Sequence, residues 1–160
     1  MFVNFHDDTQ YFLKDLNMKY MTLFVIGLLL FACNQTDKQV SQTQADAEQA
    51  AVQIAEMWLA LIDEGKFEES WDESSSMFKN SVTKEQWVET MRINRPPLGK
   101  VLQRNMKTKS YETNVPGKPD REHVAIQFQT KFENKAIGIE TITPAKDIDG
   151  VWRVWGYFIK

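Results

Sequence analysis

The spacing of apolar side chains changes once along this chain, from a helical period to strict alternation. Between residues 45 and 64 the apolar positions recur at helical spacing: Ala47, Ala51, Ile54, Trp58, Leu61 and Ile62. From Val124 to Phe132 apolar or β-branched residues alternate with polar ones instead. The first pattern is typical of a helix with one buried stripe, and the second of a strand with one covered face. Helices followed by strands predict an α+β fold, with helices packed on a curved antiparallel sheet.

Three helices are predicted before residue 98. The first covers residues 45–64 and ends at Gly65. The second and shorter helix follows the helical spacing of Phe67, Trp71 and Ser74. The third begins at a capping box, Thr83-Lys84-Glu85-Gln86, and ends before Pro96-Pro97.

About four strands are predicted after the helices. They are residues 98–111, which we place at an edge of the sheet, 124–132, 136–143 and 151–159. The last two strands are joined by Asp149-Gly150, residue types that tolerate the backbone of a tight turn. Both faces of the last strand are largely apolar, with Trp152, Val154 and Phe158 expected on one face and Tyr157 on the other. We therefore expect this strand to lie centrally in the sheet.

Length and charge limit the partners of the chain. Its 160 residues are enough for one ordinary domain. The 19 basic and 22 acidic residues give a net charge of −3 without a basic run, so we expect no nucleic-acid partner. With a single cysteine, an intramolecular disulfide is excluded.

The lone cysteine follows a short apolar run near the amino terminus. Residues 21–32 form twelve uncharged residues, too few for a membrane-spanning helix but suited to a signal peptide. The run ends in Leu30-Phe31-Ala32-Cys33, which resembles a lipobox. That resemblance implies cleavage before Cys33 and attachment of lipid to its thiol. The alternative is a buried cysteine that follows a core helix.

These features divide the chain into four parts. Residues 1–17 contain three aspartates where an export signal favours positive charge, and we interpret them as a mis-assigned upstream extension. Residues 18–32 are the predicted signal peptide, 33–43 a lipidated polar tether, and 44–160 the single domain. The expected location is the bacterial cell envelope, with Asn34 favouring an outer membrane anchor that faces the periplasm.

Several motifs in the domain resemble a known bacterial family. They are Ala55-x-x-Trp58-Leu59, Ile62-Asp63-x-Gly65, Ser70-Trp71, Phe78-Lys79, Trp87, Arg95-x-Pro97-Leu98-Gly99, Arg104 and Gly150-x-Trp152-Arg153-Val154-x-Gly156-Tyr157. Together they resemble the domain of unknown function family numbered 4019, over about residues 45–160. The element order also resembles the nuclear transport factor two-like fold, which implies a conical pocket between helices and sheet. The family resemblance implies no chemistry.

His123 and Asp63 are the candidate catalytic residues. His123 is the single histidine after Cys33, which argues against a metal site, and we expect no metal and no cofactor. Paired with Asp63, Asp72 or Glu140, it could form an acid/base dyad of the kind used by isomerases and dehydratases of this fold. Alternation instead places His123 opposite the apolar row of its strand, which favours an exposed or structural role.

Arg92, Arg95 and Arg104 are the candidate binding residues, because they flank a rigid Pro-Pro and could present a forked cationic surface to a carboxylate or phosphate. The alternative is that they pair with the acidic second helix or are solvated. The five tryptophans similarly predict either a packed core or the lining of a cavity.

Two functions follow from these alternatives. The favoured one is a non-enzymatic envelope lipoprotein that binds a protein or a small apolar ligand and is held to the membrane by its lipid anchor. The other is a small pocket enzyme that uses His123 with a carboxylate. The sequence leaves the oligomeric state open.

Overall fold

The structure, a computed structural model, describes residues 42–113 and 121–160. The predicted upstream extension, the predicted signal peptide, Cys33 and the predicted tether up to residue 41 lie outside the described residues. Residues Gln44–Lys160 form one compact unit. Within the described ranges, no helix combines the length and apolarity needed to cross a membrane.

In the part of the chain that the structure describes, four helices precede the sheet. The described part of helix α1 covers residues 42–63. It is followed by α2 (Phe67–Asp72), α3 (Ser76–Ser81) and α4 (Lys84–Asn94), and a 3₁₀ turn covers Pro96–Leu98. The predicted capping box of α4 is confirmed, since Thr83 and Gln86 exchange side-chain to backbone hydrogen bonds.

The prediction of three helices is wrong, because the segment after α1 is divided in two. Ser74 forms a parallel β-bridge with Val154 of the last strand, and the backbone N–H of Ser75 donates to the Val154 carbonyl at 2.9 Å. The Ser75 hydroxyl then accepts from the N–H of Phe78 and caps α3. A contact with a residue about 80 positions away therefore interrupts the helix, and local spacing does not reveal it.

Four antiparallel strands form one open sheet in the order β1-β2-β3-β4. They are β1 (Val101–Glu112), β2 (His123–Phe132), β3 (Gly138–Lys146) and β4 (Trp152–Ile159). The predicted edge position of the first strand is confirmed. The predicted central position of the last strand is wrong, because β4 is the other edge and Ser74-Ser75 covers only part of it.

The register of β3 and β4 shows that the predicted faces of the last strand are wrong. Thr143 pairs with Gly156 but Pro144 pairs with Val154, which leaves Trp155 as an extra residue. Such an irregularity reverses the alternation beyond it. Val154 and Tyr157 therefore both pack in the core, although we predicted them on opposite faces, and Phe158 is 54% exposed.

The core lies between the helices and one face of the sheet. From β2 it takes Val124, Ile126 and Phe128, as the alternation predicts, and from α1 it takes Trp58, Leu59 and Ile62. Each such side chain contributes about 1.5–3 kcal/mol to folding on burial. This face also carries Thr130 and Glu140, two polar residues with no exposed surface.

Candidate functional site

Four charged side chains meet at one end of the core. They are Asp63 at the end of α1, Arg95 after α4, Arg104 in β1 and Glu140 in β3, and we call them the charged cluster. Their formal charges cancel. Buried charges are tolerated where they are paired and hydrogen-bonded, so the contacts of each member decide what the cluster does.

Arg104 is the centre of the cluster. Its Nε donates to Oε2 of Glu140 at 2.7 Å and its Nη2 to Oε1 at 3.2 Å. Its Nη1 and Nη2 donate to the two carboxylate oxygens of Asp63 at 2.7 and 3.0 Å. Burial lowers the pKa of the Arg104 guanidinium, but the hydrogen bonds to Asp63 and Glu140 outweigh it and raise that pKa above its usual value. Arg104 is thus a permanent cation held between two carboxylates.

Glu140 accepts a full set of hydrogen bonds. Besides the two from Arg104, its Oε1 accepts from the Tyr157 hydroxyl at 2.7 Å and its Oε2 from the Thr130 hydroxyl. An ionised carboxylate has about four acceptor positions, and four donors occupy them here. Glu140 has no exposed surface. Its geometry therefore suits a structural anchor and leaves no position for a substrate proton.

Tyr157 couples the cluster to the aromatic core. Its ring lies 5.2 Å from that of Trp58 and 6.4 Å from that of Trp87. Burial, together with the charge of Glu140, raises the pKa of its hydroxyl above the usual value. Tyr157 therefore stays protonated and serves as a hydrogen-bond donor.

Arg95 is the least satisfied member of the cluster. Its side chain is 6% exposed and lies over the Phe132 ring, 4.9 Å from the ring centroid. Its Nη1 donates to the Gly99 carbonyl at 2.7 Å and its Nη2 to Asp63 at 3.0 Å. Its Nε is buried and has no hydrogen-bond partner among the described residues. Such groups are rare in folded proteins, which marks Arg95 as a candidate for ligand contact.

The local sequence places Arg95 there. Arg95 is the C-cap of α4 because Pro96 and Pro97 cannot continue the helix, and they form the 3₁₀ turn instead. Gly99 closes that turn with a φ of +76°, a conformation that glycine adopts without strain. The turn brings the Gly99 carbonyl back onto the guanidinium.

A groove of about 410 Å³ lies between α4 and β4. Its apolar lining comes from Trp87, Met91, Leu98, Tyr157, Phe158 and Ile159, and its polar lining from Thr90, Asn94 and Arg95. This volume lies in the range of small-molecule pockets, which are mostly apolar with a few polar groups. The groove therefore shares Arg95 with the charged cluster, and it shares Tyr157 with the hydrogen bonds of Glu140.

The structure brings together three of the residues singled out in the sequence, Asp63, Arg95 and Arg104. Arg92 is placed apart, since it is exposed and pairs with Glu68 of α2 at 2.7 Å. That contact matches the alternative in which an arginine pairs with the acidic second helix.

His123 lies away from the groove and the charged cluster. It is 4% exposed, its Nδ1 is 3.1 Å from the Arg121 carbonyl, and its Nε2 is 3.6 Å from Glu112. In the register of β2 and β3 it pairs with Ala145, whereas Glu140 pairs with Phe128. Five residues along a strand correspond to about 16 Å. The carboxylate beside His123 is thus Glu112, and Glu140 is well removed from it.

Thr130 and Tyr157 were not singled out as site residues, although both bind Glu140. One signal points to Glu140 itself: it is a charged residue in phase with the buried Ile142. Within residues 42–113 and 121–160, no group of three or more His, Cys, Asp or Glu side chains could hold a metal ion.

Comparison with known proteins places the chain in a family. No curated protein and no solved structure showed significant similarity to it. A family model described as a protein of unknown function, DUF4019, matches residues 54–157, which include all four members of the charged cluster and every residue that lines the groove except Phe158 and Ile159. The chain therefore belongs to the DUF4019 family.

Proposed function

We propose that this chain is an envelope lipoprotein whose domain is a non-enzymatic binding module for a small, largely apolar molecule. The observation that carries the proposal is the groove between α4 and β4, with about 410 Å³ of space and a mainly apolar lining. A molecule in this groove removes apolar surface from water, which stabilises the complex by about 25 cal/mol per Å² buried before the costs of association.

The saturated hydrogen bonding of Glu140 supports binding over catalysis. Arg104, Asp63 and Glu140 satisfy one another, so they hold the groove wall in place and are not poised for proton transfer. The groove lies between a helix and a sheet, which fits the conical pocket of a nuclear transport factor two-like fold. That likeness in fold is part of the proposal.

The proposed location rests on the amino-terminal sequence. The apolar run before Leu30-Phe31-Ala32-Cys33 supports lipidation at Cys33, and Asn34 supports delivery to the outer membrane. Residues 34–43 would then tether the domain on the periplasmic side.

The groove is tested with N-phenyl-1-naphthylamine, a neutral apolar dye whose fluorescence rises on burial. Full-length chain carrying Cys33→Ser provides a protein without attached lipid. We expect saturable binding with a Kd on the order of 0.1 mM or tighter. Thr90→Trp should weaken it about tenfold or more, because Thr90 is exposed and lines the groove.

Ile93→Trp is the matched control. Ile93 belongs to the same helix and is 63% exposed, but it lies with Glu68 and Arg92 outside the groove. A tryptophan at position 93 should leave dye binding unchanged. If both variants bind like the parent chain, the groove is not the binding site.

The anchor is tested separately by labelling cells with radioactive palmitate. The wild-type chain should take up label and fractionate with the outer membrane, and the Cys33→Ser variant should do neither. Equal labelling of both forms, or of neither, contradicts the lipoprotein assignment.

A further inference from the structure

Arg95 is the charged residue in the wall of the groove. A guanidinium carries five N–H donors. Among the described residues, Arg95 uses one to Gly99 and one to Asp63, and its buried Nε has no partner. A buried donor that is left unpaired is costly, so an acceptor supplied by a ligand would be favourable.

The two carboxylates of the charged cluster contact Arg104 more than they contact Arg95. Glu140 directs both oxygens to Arg104, and Asp63 accepts two hydrogen bonds from Arg104 but one from Arg95. Most of the negative charge of the cluster is thereby committed to Arg104. Within the described part of the chain, Arg95 has one ion pair, to Asp63, while its side chain is nearly buried.

The apolar lining and this cation occupy the same groove. Trp87 and Met91 are 7% and 5% exposed and pack against the core, whereas Phe158 is 54% exposed at the open side. Met91, Phe158 and Arg95 line the same groove, so an apolar body bound there has a charged residue in the wall beside it. Neutral apolar molecules would fill the space without using that charge.

We propose that the groove binds an amphipathic organic anion, with an apolar body against Trp87 and Phe158 and one oxyanion headgroup on Arg95. This inference rests on the proposed function, since it names the class of molecule that the same groove takes. The headgroup chemistry is that of a carboxylate or sulfonate, which accepts charge-assisted hydrogen bonds from a guanidinium.

Two dyes that differ by one group test the proposal. 8-Anilinonaphthalene-1-sulfonate has the skeleton of N-phenyl-1-naphthylamine plus a sulfonate, and each is titrated by fluorescence into the full-length Cys33→Ser chain. We expect the sulfonate dye to bind roughly tenfold more tightly, the advantage given by one hydrogen bond to a charged group. Increasing the NaCl concentration should reduce this advantage while leaving the neutral dye bound.

Arg95→Met should bring the ratio of the two affinities to about one, because both dyes are measured in the same variant and only the sulfonate uses the guanidinium. A cooperative urea transition shows that the variant is folded. Arg92→Met is the matched control, because Arg92 is exposed one turn earlier and pairs with Glu68. It should retain the full preference for the sulfonate dye.

Different results would overturn the groove as a binding site and the headgroup contact with Arg95. If Thr90→Trp leaves both dyes bound as before, the groove itself is not the site and the proposed function is wrong. If the groove binds both dyes with equal affinity in the parent chain, or the preference survives Arg95→Met, the anionic headgroup on Arg95 is overturned while the groove stands.

Discussion

Glu140→Gln is the change that most directly tests the charged cluster. It keeps the shape of the side chain but removes the charge that faces Arg104 and replaces one acceptor oxygen by an NH₂ donor. Two opposite charges about 4 Å apart attract by about 4 kcal/mol at an effective dielectric constant of about 20. Breaking a buried ion pair typically costs about 3–5 kcal/mol. Since Glu140 has no exposed surface, we expect a loss in this range.

The measurement is urea unfolding at pH 7, followed by tryptophan fluorescence. Domains of this size unfold with about 5–15 kcal/mol, so the variant should lose a large part of its stability, with a lower midpoint and an unchanged slope. Glu68→Gln is the control, because the Arg92–Glu68 pair has the same 2.7 Å distance but is exposed. We expect it to cost at most about 1 kcal/mol. Similar losses in both variants would refute the structural role of burial here.

Three further changes follow from the same structure. Burial raises the pKa of Asp147, but hydrogen bonds from Ser76 and Ile148 and the charge of Arg121 outweigh burial. The pKa of Asp147 is thereby lowered to about 2. Because its folded pKa lies below the unfolded value, it contributes about 2 kcal/mol that is present above pH 4 and lost between about pH 4 and 2. In Asp147→Asn, the free energy of unfolding, measured by urea titration at each pH, should therefore depend less on pH over this range. Gly99→Ala should destabilise more than Gly150→Ala by about 1–3 kcal/mol, since both have positive φ but a Cβ meets side-chain atoms 2.8 Å away only at Gly99. Equal losses would contradict that close approach. Tyr157→Phe should cost about 1–2 kcal/mol through its lost hydrogen bond to Glu140 yet keep the neutral dye bound, and loss of dye binding would show that the hydroxyl shapes the groove.

Features set by neighbouring residues were predictable from the sequence. The capping box of Thr83 and Gln86 uses residues three apart, so its hydrogen bonds follow from the motif. The alternation in β2 likewise predicts which side chains enter the core. The observed strand ends differ from the predicted ones by a few residues, because pairing with neighbouring strands decides where a strand ends.

Features set by distant contacts were not predictable. The break after α2 depends on Ser74 meeting Val154, and the reversed alternation of β4 depends on its pairing with β3. The two apolar faces of β4 suggested a central strand, yet β4 is an edge strand, and its Trp155 packs edge-on against His123 with the ring centroids 5.5 Å apart. Periodicity reports burial and does not say which element provides it.

The candidate site also combines features that the sequence predicts with features that depend on distant contacts. The sequence pointed to Asp63 as a carboxylate partner for His123, and to Arg95 and Arg104 because they flank Pro96-Pro97. Their meeting could not be predicted, since Asp63 is 32 and 41 residues from the two arginines. Nor could the sequence show that Arg104 would donate four hydrogen bonds to carboxylates while the Nε of Arg95 would have no partner among the described residues. Both depend on atomic geometry.

The residues shared by the cluster and the groove connect stability to binding. Arg95 lines the groove and contacts Asp63, and Tyr157 lines it and donates to Glu140. A molecule that binds only the folded domain stabilises it by about 2.7 kcal/mol at a hundred times its Kd. If the cluster holds the groove wall, loosening it by Glu140→Gln also lowers the population of the competent groove, and the apparent affinity falls in proportion. Saturating dye should then recover part of the stability that Glu140→Gln loses, and the recovery at the same dye concentration should be smaller when Thr90→Trp is added, because that variant binds the dye more weakly.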